Sequence, residues 1–331
     1  AFPDWQANPL SGARVAHPDR PWWRIQDFDL AVGDIKTVWE TSRFDWVLAM
    51  AERACAGRAG ELDRLNAWIG DWCRANPAYS GPNWKCGQEA SIRMMHLATA
   101  ALLLGQQRGT EPALLALVHA HLARIAPTLP YALAQDNNHG TSEAAALFIG
   151  GSWLAAHAVG STNAEGERWA RGGRKWIEER VNRLVAEDGS FSQYSVVYHR
   201  VLLDTLSITE VWRRALGLTP FSSRFGERAR LAAIWLRDFT QASNGDAPNM
   251  GANDGTRLLP LSDSNFRDFR PSVQLACALF ADAKAYAAPG TSDLPLQWLD
   301  VSSPDCVLPD KVSRLYDRGG YAILRRKEIC V

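Results

Sequence analysis

Residues 136–159 read DNNHGTSEAAALFIGGSWLAAHAV. A polar cluster, Asp136-Asn137-Asn138-His139, opens onto an apolar run from Ala144 to Ala158 that is broken by Gly150, Gly151, Ser152 and His157. The run falls short of the ~18–20 uninterrupted apolar residues of a membrane span, so it reads as a buried helix. Thr141 or Ser142 can cap that helix. With a start near His139, Glu143 lies one turn on and can hold the imidazole. The cluster has two readings: an Asx-type turn with a cap, or a helix N-terminus equipped to meet an anion.

Working outward, apolar residues recur at helical spacing in Phe44–Ala56, Glu61–Arg74, Gln88–Leu104 and Glu111–Ile125. The same spacing runs through Ser142–Val159, Glu165–Val185, Val196–Leu216, Gly226–Ala242 and Pro271–Ala287. This pattern predicts helices. Turn signals such as Asn76-Pro77, Gly81-Pro82, Asp188-Gly189 and Asn244-Gly245 separate them. The rhythm is helix–loop–helix, as in helical arrays, without an exact repeat. Strand signals come only after Pro304: Val307-Leu308, Arg314–Tyr316 and Gly320–Arg325. A lone strand pair is marginal, so this tail reads as the first edge of a β-domain. The first forty residues, punctuated by Pro3, Pro9, Pro18 and Pro21 with Trp5, Trp22, Trp23 and Trp39 between, read as an arm packed on the body.

Composition narrows the function classes. Lys plus Arg and Asp plus Glu are 36 each, so the broad basic field of a nonspecific nucleic-acid binder is missing. Six cysteines stand singly (Cys55, Cys73, Cys86, Cys277, Cys306, Cys330) with no C-x-x-C. They read as mostly buried thiols, not as a disulfide framework or a zinc ribbon. Fourteen Trp residues serve either a helical core or surfaces that stack on sugar rings.

Three more stretches carry polar chemistry. Residues 188–199 read DGSFSQYSVVYH: a turn, then Tyr194 and Tyr198 four apart, then Tyr198-His199 opening an apolar helix. Residues 248–255 read PNMGANDG, a polar, Gly-rich loop between helices. In GQEASIRMMH, residues 87–96, Glu89 and Arg93 stand at i,i+4 and Arg93 shares a face with His96. Glu89 and Arg93 form either an intrahelical ion pair or part of a wall that meets an acidic ligand. His139 and Glu143 offer two metal ligands with no third in range, so a metal site is not expected.

Together, N-N-H-x-x-x-E (137–143), D-G-S-x-x-x-x-S-x-x-Y-H (188–199) and P-N-x-G-x-N-D-G (248–255), in that order along a helical chain, resemble the heparinase II/III-like polysaccharide lyases. This group includes heparin/heparan sulfate lyases and oligoalginate lyases. The likeness runs from about Trp39 to about Arg326. It implies an all-α fold, an incomplete (α/α) toroid of helical hairpins followed by the first strands of a truncated antiparallel β-sandwich. The corresponding organisation is an arm over 1–42, a catalytic toroid over 43–298, and a linker with the start of the sandwich over 299–331.

The implied reaction is β-elimination of an acidic, uronate-containing glycan. The C5 proton is not acidic while the neighbouring carboxylate stays charged, so the enzyme must neutralise that carboxylate and stabilise the enolate-like intermediate. Carried over by position, Asn138 and His139 match the carboxylate-neutralising pair. Tyr198 matches the catalytic tyrosine, a general acid and potentially also the base, and His199 stands beside it as a tuner. Asn137, Glu143, Arg93, Glu89, Asn253, Asp254 and Tyr194 are cleft candidates, and Trp84 and Trp153 are candidate sugar platforms. Gln193 stands where many relatives carry an acid. Relatives also add a His or Tyr from the sandwich. No cofactor is expected in this chain, although a metal in the sandwich is compatible with the resemblance. The expected partner is an acidic polysaccharide or oligosaccharide, with no nucleic acid and no membrane span, and the expected location is periplasmic or secreted. Two alternatives stay open: a non-catalytic glycan-binding or exopolysaccharide-assembly protein, and a toroid glycoside hydrolase with Asp136, Asp188 or Asp204 as its carboxylates.

Overall fold

The computed structural model describes residues 2–326 and the backbone of 329–330. The chain is mainly helical, with short antiparallel strands near its C-terminal end, which is the expected fold class. It forms two compact units, residues 1–130 with 146–171, and residues 131–145 with 172–331.

Unit 1 holds α1 (Asp45–Cys55), α2 (Glu61–Ala75), α3 (Gly87–Leu103) and α4 (Pro112–Ile125). Helix α1 packs on α2 and α3, and α3 packs on α4. Their apolar faces meet around Phe44, Trp72 and Trp84, all buried. The arm lies on this body. Buried Trp5 packs against Trp46 and Trp68, its indole N–H donates to Asp71, and Asn83 donates to the Trp5 carbonyl. A second small core, Ile25, Val32, Ile35, Val38 and Trp39, surrounds the hairpin of β1 (Phe28–Asp29) and β2 (Gly33–Asp34).

A short helix, α5 (Leu129–Ala134), follows, then α6 (Asn138–His157) and α7 (Ser161–Leu184). Where α6 and α7 cross in unit 1, glycine sets the spacing. A Cβ on Gly151 would sit 2.4 Å from the Ala170 nitrogen, and one on Gly166 would sit 2.8 Å from the Gly151 oxygen. Backbone meets backbone there, which no larger residue permits.

Unit 2 packs α8 (Val196–Ala215), α9 (Ser223–Phe239) and α10 (Arg270–Phe280) against one another. Ser195 and Ser222 cap α8 and α9 through their side chains. The hairpin of β3 (Arg314–Tyr316) and β4 (Tyr321–Ile323) sets Tyr316 and Tyr321 against Trp235 and Phe239 of α9. The Tyr316 hydroxyl donates to Asp238 at 2.6 Å. A further strand pair, β5 (Arg325–Arg326) and β6 (Ile329–Cys330), ends the described chain.

Several expectations shift. Helix α6 begins at Asn138, four residues before the apolar spacing that starts at Ser142 and next to the alternative start near His139, which brings Asn138 and His139 into its first turn. Helix α10 stops at Phe280, well before Ala287. Asp282 takes a left-handed backbone, and Lys284 pairs with Val307 as an isolated parallel bridge. That bridge is what becomes of the strand expected at Val307-Leu308. The thiols are less buried than expected. Cys277 is buried, Cys73 and Cys86 are half-buried, and Cys55 and Cys306 are exposed, none of the five in a disulfide; the Cys330 side chain lies outside the described residues. One helical run among the described residues, Pro112–Ala134, is long and apolar enough to cross a membrane by length and composition. It carries buried His121 and Arg124, and Arg124 donates to the Trp84 carbonyl, contacts that belong to a protein core.

Candidate functional site

Three stretches far apart in sequence meet inside unit 2. The first is the start of α6. The Asn137 side chain accepts from the His139 N–H at 2.9 Å and so caps the helix start. The second is the segment before α8: the Gln193 side-chain oxygen accepts from the Asn138 N–H at 3.1 Å, and the Ser192 hydroxyl donates to the Asp136 carbonyl. An amide oxygen can serve that N–H as an acid would, so Gln193 keeps the contact without its charge. The third is the loop 248–256. Ser195 donates to the Ala252 carbonyl at 2.6 Å, and the Val196 N–H donates to the Met250 carbonyl. Gly251 has a positive φ, and a Cβ there would lie 2.1 Å from the Tyr194 oxygen, so only glycine lets this loop close on the start of α8.

This docking puts the Tyr198 hydroxyl 2.5 Å from Asp254, to which it donates. Asp254 is itself held by the Thr256 hydroxyl at 2.7 Å. Arg200, one helical step along, is buried and donates to the carbonyls of Thr256 and Phe266, which ties the loop to α8. Burial among Phe266 and Phe269 holds its guanidinium below the usual value, at about 10. Tyr198 is half-buried, with its phenol at the surface of the unit.

Asn138 is 4% exposed, yet its side-chain amide has no hydrogen-bond partner among the described residues. The amide therefore keeps bonding capacity at the start of α6. His139 is partly exposed, with Nδ1 3.6 Å from the buried Glu143 carboxylate, an ion pair when the ring is protonated. Asp136 has a left-handed backbone and binds both Arg180 and Arg183. The Arg183 hydrogen bond, with Arg180 beside it, holds its carboxyl below the usual range. Asn253 is exposed and donates to Asn249. Tyr194 is exposed with a left-handed backbone, and its ring faces Tyr321.

The structure does not support every candidate. His199 is 1% exposed, stacked on Trp235 at 4.3 Å, and its Nε2–H donates to the Ala232 carbonyl. Burial lowers its pKa to about 4, so it is a neutral core residue and not a tuner of Tyr198. In unit 1, Arg93 is fully buried between Trp72 and Trp84, donating to His121 and to the Asn83 carbonyl. Burial holds it at about 10 and His121 at about 3. Glu89 pairs with Arg43, at 2.8 and 3.0 Å, and not with Arg93 as the i,i+4 spacing suggested. Trp84 and Trp153 are core residues, their indoles bonded to the Asn76 carbonyl and the Thr110 hydroxyl. All four are therefore unavailable as a substrate wall.

The carboxylates of the hydrolase alternative are committed elsewhere. Asp188 accepts from the N–H groups of Ser190 and Gly319, so the D-G-S turn seats the β3–β4 hairpin. Asp204 is buried, bonded to the Leu259 N–H, and pushed up by desolvation. Among the described residues no group of three or more His, Cys, Asp or Glu side chains is arranged to hold a metal.

No protein-family model matches the chain, and no curated protein matches it. Two solved structures share its fold. A heparan sulfate lyase from Pedobacter heparinus superposes with a TM-score of 0.52 at 19% identity, over 91% of this chain and 44% of the other. A heparinase III superposes with a TM-score of 0.53 at 15% identity, over 99% of this chain and 52% of the other. The chain thus has a heparinase-like, polysaccharide-lyase fold and spans about half the length of each neighbour.

Proposed function

We propose that this chain is the helical part of a polysaccharide lyase that cleaves an acidic, uronate-containing glycan by β-elimination, in the periplasm or outside the cell. The observation that supports the reading is that the start of α6, with Asn138 and His139, and the Tyr198–Asp254 pair are both tied to the short segment 192–198 within one unit: Gln193 accepts from the Asn138 N–H, and Tyr198 donates to Asp254. In this reading the Asn138 amide and the His139 imidazolium hold the uronate carboxylate and lower its charge. The C5 proton then becomes removable, and the same donors stabilise the enolate-like intermediate.

Tyr198 protonates the departing C4 oxygen. Asp254 decides between acid and base for this group. Moving a proton from a phenol (ordinary pKa ~10) to a carboxylate (~4) is uphill by roughly 8 kcal/mol, and a carboxylate 2.5 Å away opposes a phenolate by charge. Tyr198 therefore rests as the protonated acid. The C5 proton then goes to a separate base, and the His or Tyr that relatives add from the β-sandwich or its junction is the candidate for it.

The test is absorbance of the C4–C5 unsaturated product on incubation with heparan sulfate, alginate and hyaluronan. Tyr198→Phe should abolish product while sparing affinity. Cleavage without the double bond would mean hydrolysis, and binding without cleavage would mean a glycan-binding protein.

A further inference from the structure

We propose that unit 1 carries a second glycan-binding site, a groove of about 400 Å³ lined by Trp22, Trp23 and Tyr79, that takes a segment of an anionic glycan chain. The choice of an anionic glycan rests partly on the lyase reading; the groove itself does not.

The aromatic surface is built rather than incidental. Trp22 is fixed from below, with the Arg124 guanidinium carbon 3.6 Å from the ring centroid. Arg124 is itself pinned by bonds to the Trp84 and Lys85 carbonyls and the Thr128 hydroxyl. Trp22 therefore loses little freedom when a ligand stacks on it. Trp23 stands at 90° to Trp22 with centroids 5.7 Å apart, and it is 62% exposed. Tyr79 is 37% exposed and has a φ of 70°, an uncommon backbone for a bulky residue. Its carbonyl accepts from the Trp22 N–H, so the strained turn and the Trp pair are one structure.

Chemistry narrows the occupant. Two perpendicular aromatic planes match the flat C–H face of a pyranose and the edge of its neighbour. The volume lies within the ~300–1,000 Å³ of small-molecule clefts. Among the described residues, Arg124 is the charged side chain that lines the groove, and no carboxylate lines it. Exposed Arg20 and Arg24 are the charges nearest the Trp pair in sequence; of the acids beyond them, Asp27 is paired with Lys85 and Asp19 is exposed. A pocket of this charge favours an anionic chain over a neutral one.

The test measures binding of a heparan sulfate octasaccharide and of neutral maltooctaose by calorimetry, in a Tyr198→Phe background so that no cleavage intervenes. Trp23→Ala, at an exposed position, should fold with an unchanged Tm and weaken the octasaccharide by roughly tenfold. Trp23→Phe should restore most of the affinity. The double variant Arg20→Gln/Arg24→Gln should weaken the acidic chain and flatten its salt dependence, with maltooctaose bound more weakly than either.

An octasaccharide Kd unchanged by Trp23→Ala overturns the site, as does no binding of the octasaccharide. So does a Trp23→Ala effect confined to self-association in sedimentation, which would make the groove a contact between copies. The two proposals fail separately. Weakened binding by Trp23→Ala without unsaturated product from the wild type sinks the lyase reading and keeps the groove. Product formation with binding indifferent to Trp23 does the reverse.

Discussion

The polar cluster around Arg93 and the one around Asn138 look alike in sequence, yet they end in opposite states. Both place a His and a charged or amide side chain on a strongly apolar helix. Arg93 finds two aromatic faces, an imidazole and a carbonyl, and is sealed from water. Asn138 keeps its amide unbonded, and His139 beside it remains partly exposed. Arg93 keeps Nη1 without a partner too, so what separates the clusters is water: a polar group sealed among aromatic faces specifies a core, whereas one beside a partly exposed His139 can meet a ligand. Residue type and spacing do not separate the two cases; the partners arriving from elsewhere in the fold do.

That contrast can be broken by mutation. The largest effect is expected at Tyr198. Tyr198→Phe should lower kcat for elimination by roughly 10²–10⁴, with little change in affinity or Tm. Asn138→Ala should follow at roughly 10²–10³, again in kcat. Arg93→Ala should behave in the opposite way. It removes a buried side chain and leaves the Asn83 carbonyl and His121 without their donor, at a cost of roughly 2–4 kcal/mol, read as a lower Tm. Remaining folded Arg93→Ala protein should keep its kcat. A selective loss of kcat at Arg93, or a stability loss alone at Asn138, would erase the distinction.

The smallest effect is the pH dependence of stability. His199 and His121 have folded pKa values lowered to about 4 and about 3 by burial. Below their unfolded value of ~6.5 the unfolded chain takes up protons that the folded one refuses. Stability should therefore fall as pH drops from about 6.5 to about 4, and the His199 contribution should level off below that. His199→Phe, which keeps a ring against Trp235, should flatten the slope in a denaturant titration. An unchanged slope would mean that His199 is not the dry residue described above.

Much of this was legible in the chain itself. The apolar period of α1 to α4 and of α8 is long enough to fix helices, because burying one face dominates their stability. Order and spacing of the three polar stretches were enough to select Asn138, His139, Tyr198 and Asp254 as candidates, and all four lie in one unit. The end of α10 was not legible, because alanines, good helix formers, recur at 281, 283, 285 and 287 while Lys284 pairs with a segment more than twenty residues on. Arg43 as the partner of Glu89, and the aromatic box around Arg93, depend on which helices pack together, which local pattern does not encode. The Trp22-Trp23 pair was visible as aromatic content of the arm, but its right-angled geometry over Arg124 is a product of the fold.

The most direct measurement follows two signals at once while the wild-type protein acts on heparan sulfate: ultraviolet absorbance of the unsaturated uronate, and new reducing ends. A polysaccharide eliminase built on Asn138, His139 and Tyr198 predicts that both rise together, one double bond for each chain cut. Reducing ends that accumulate without absorbance, or a paired rise that persists undiminished in Tyr198→Phe, would contradict it.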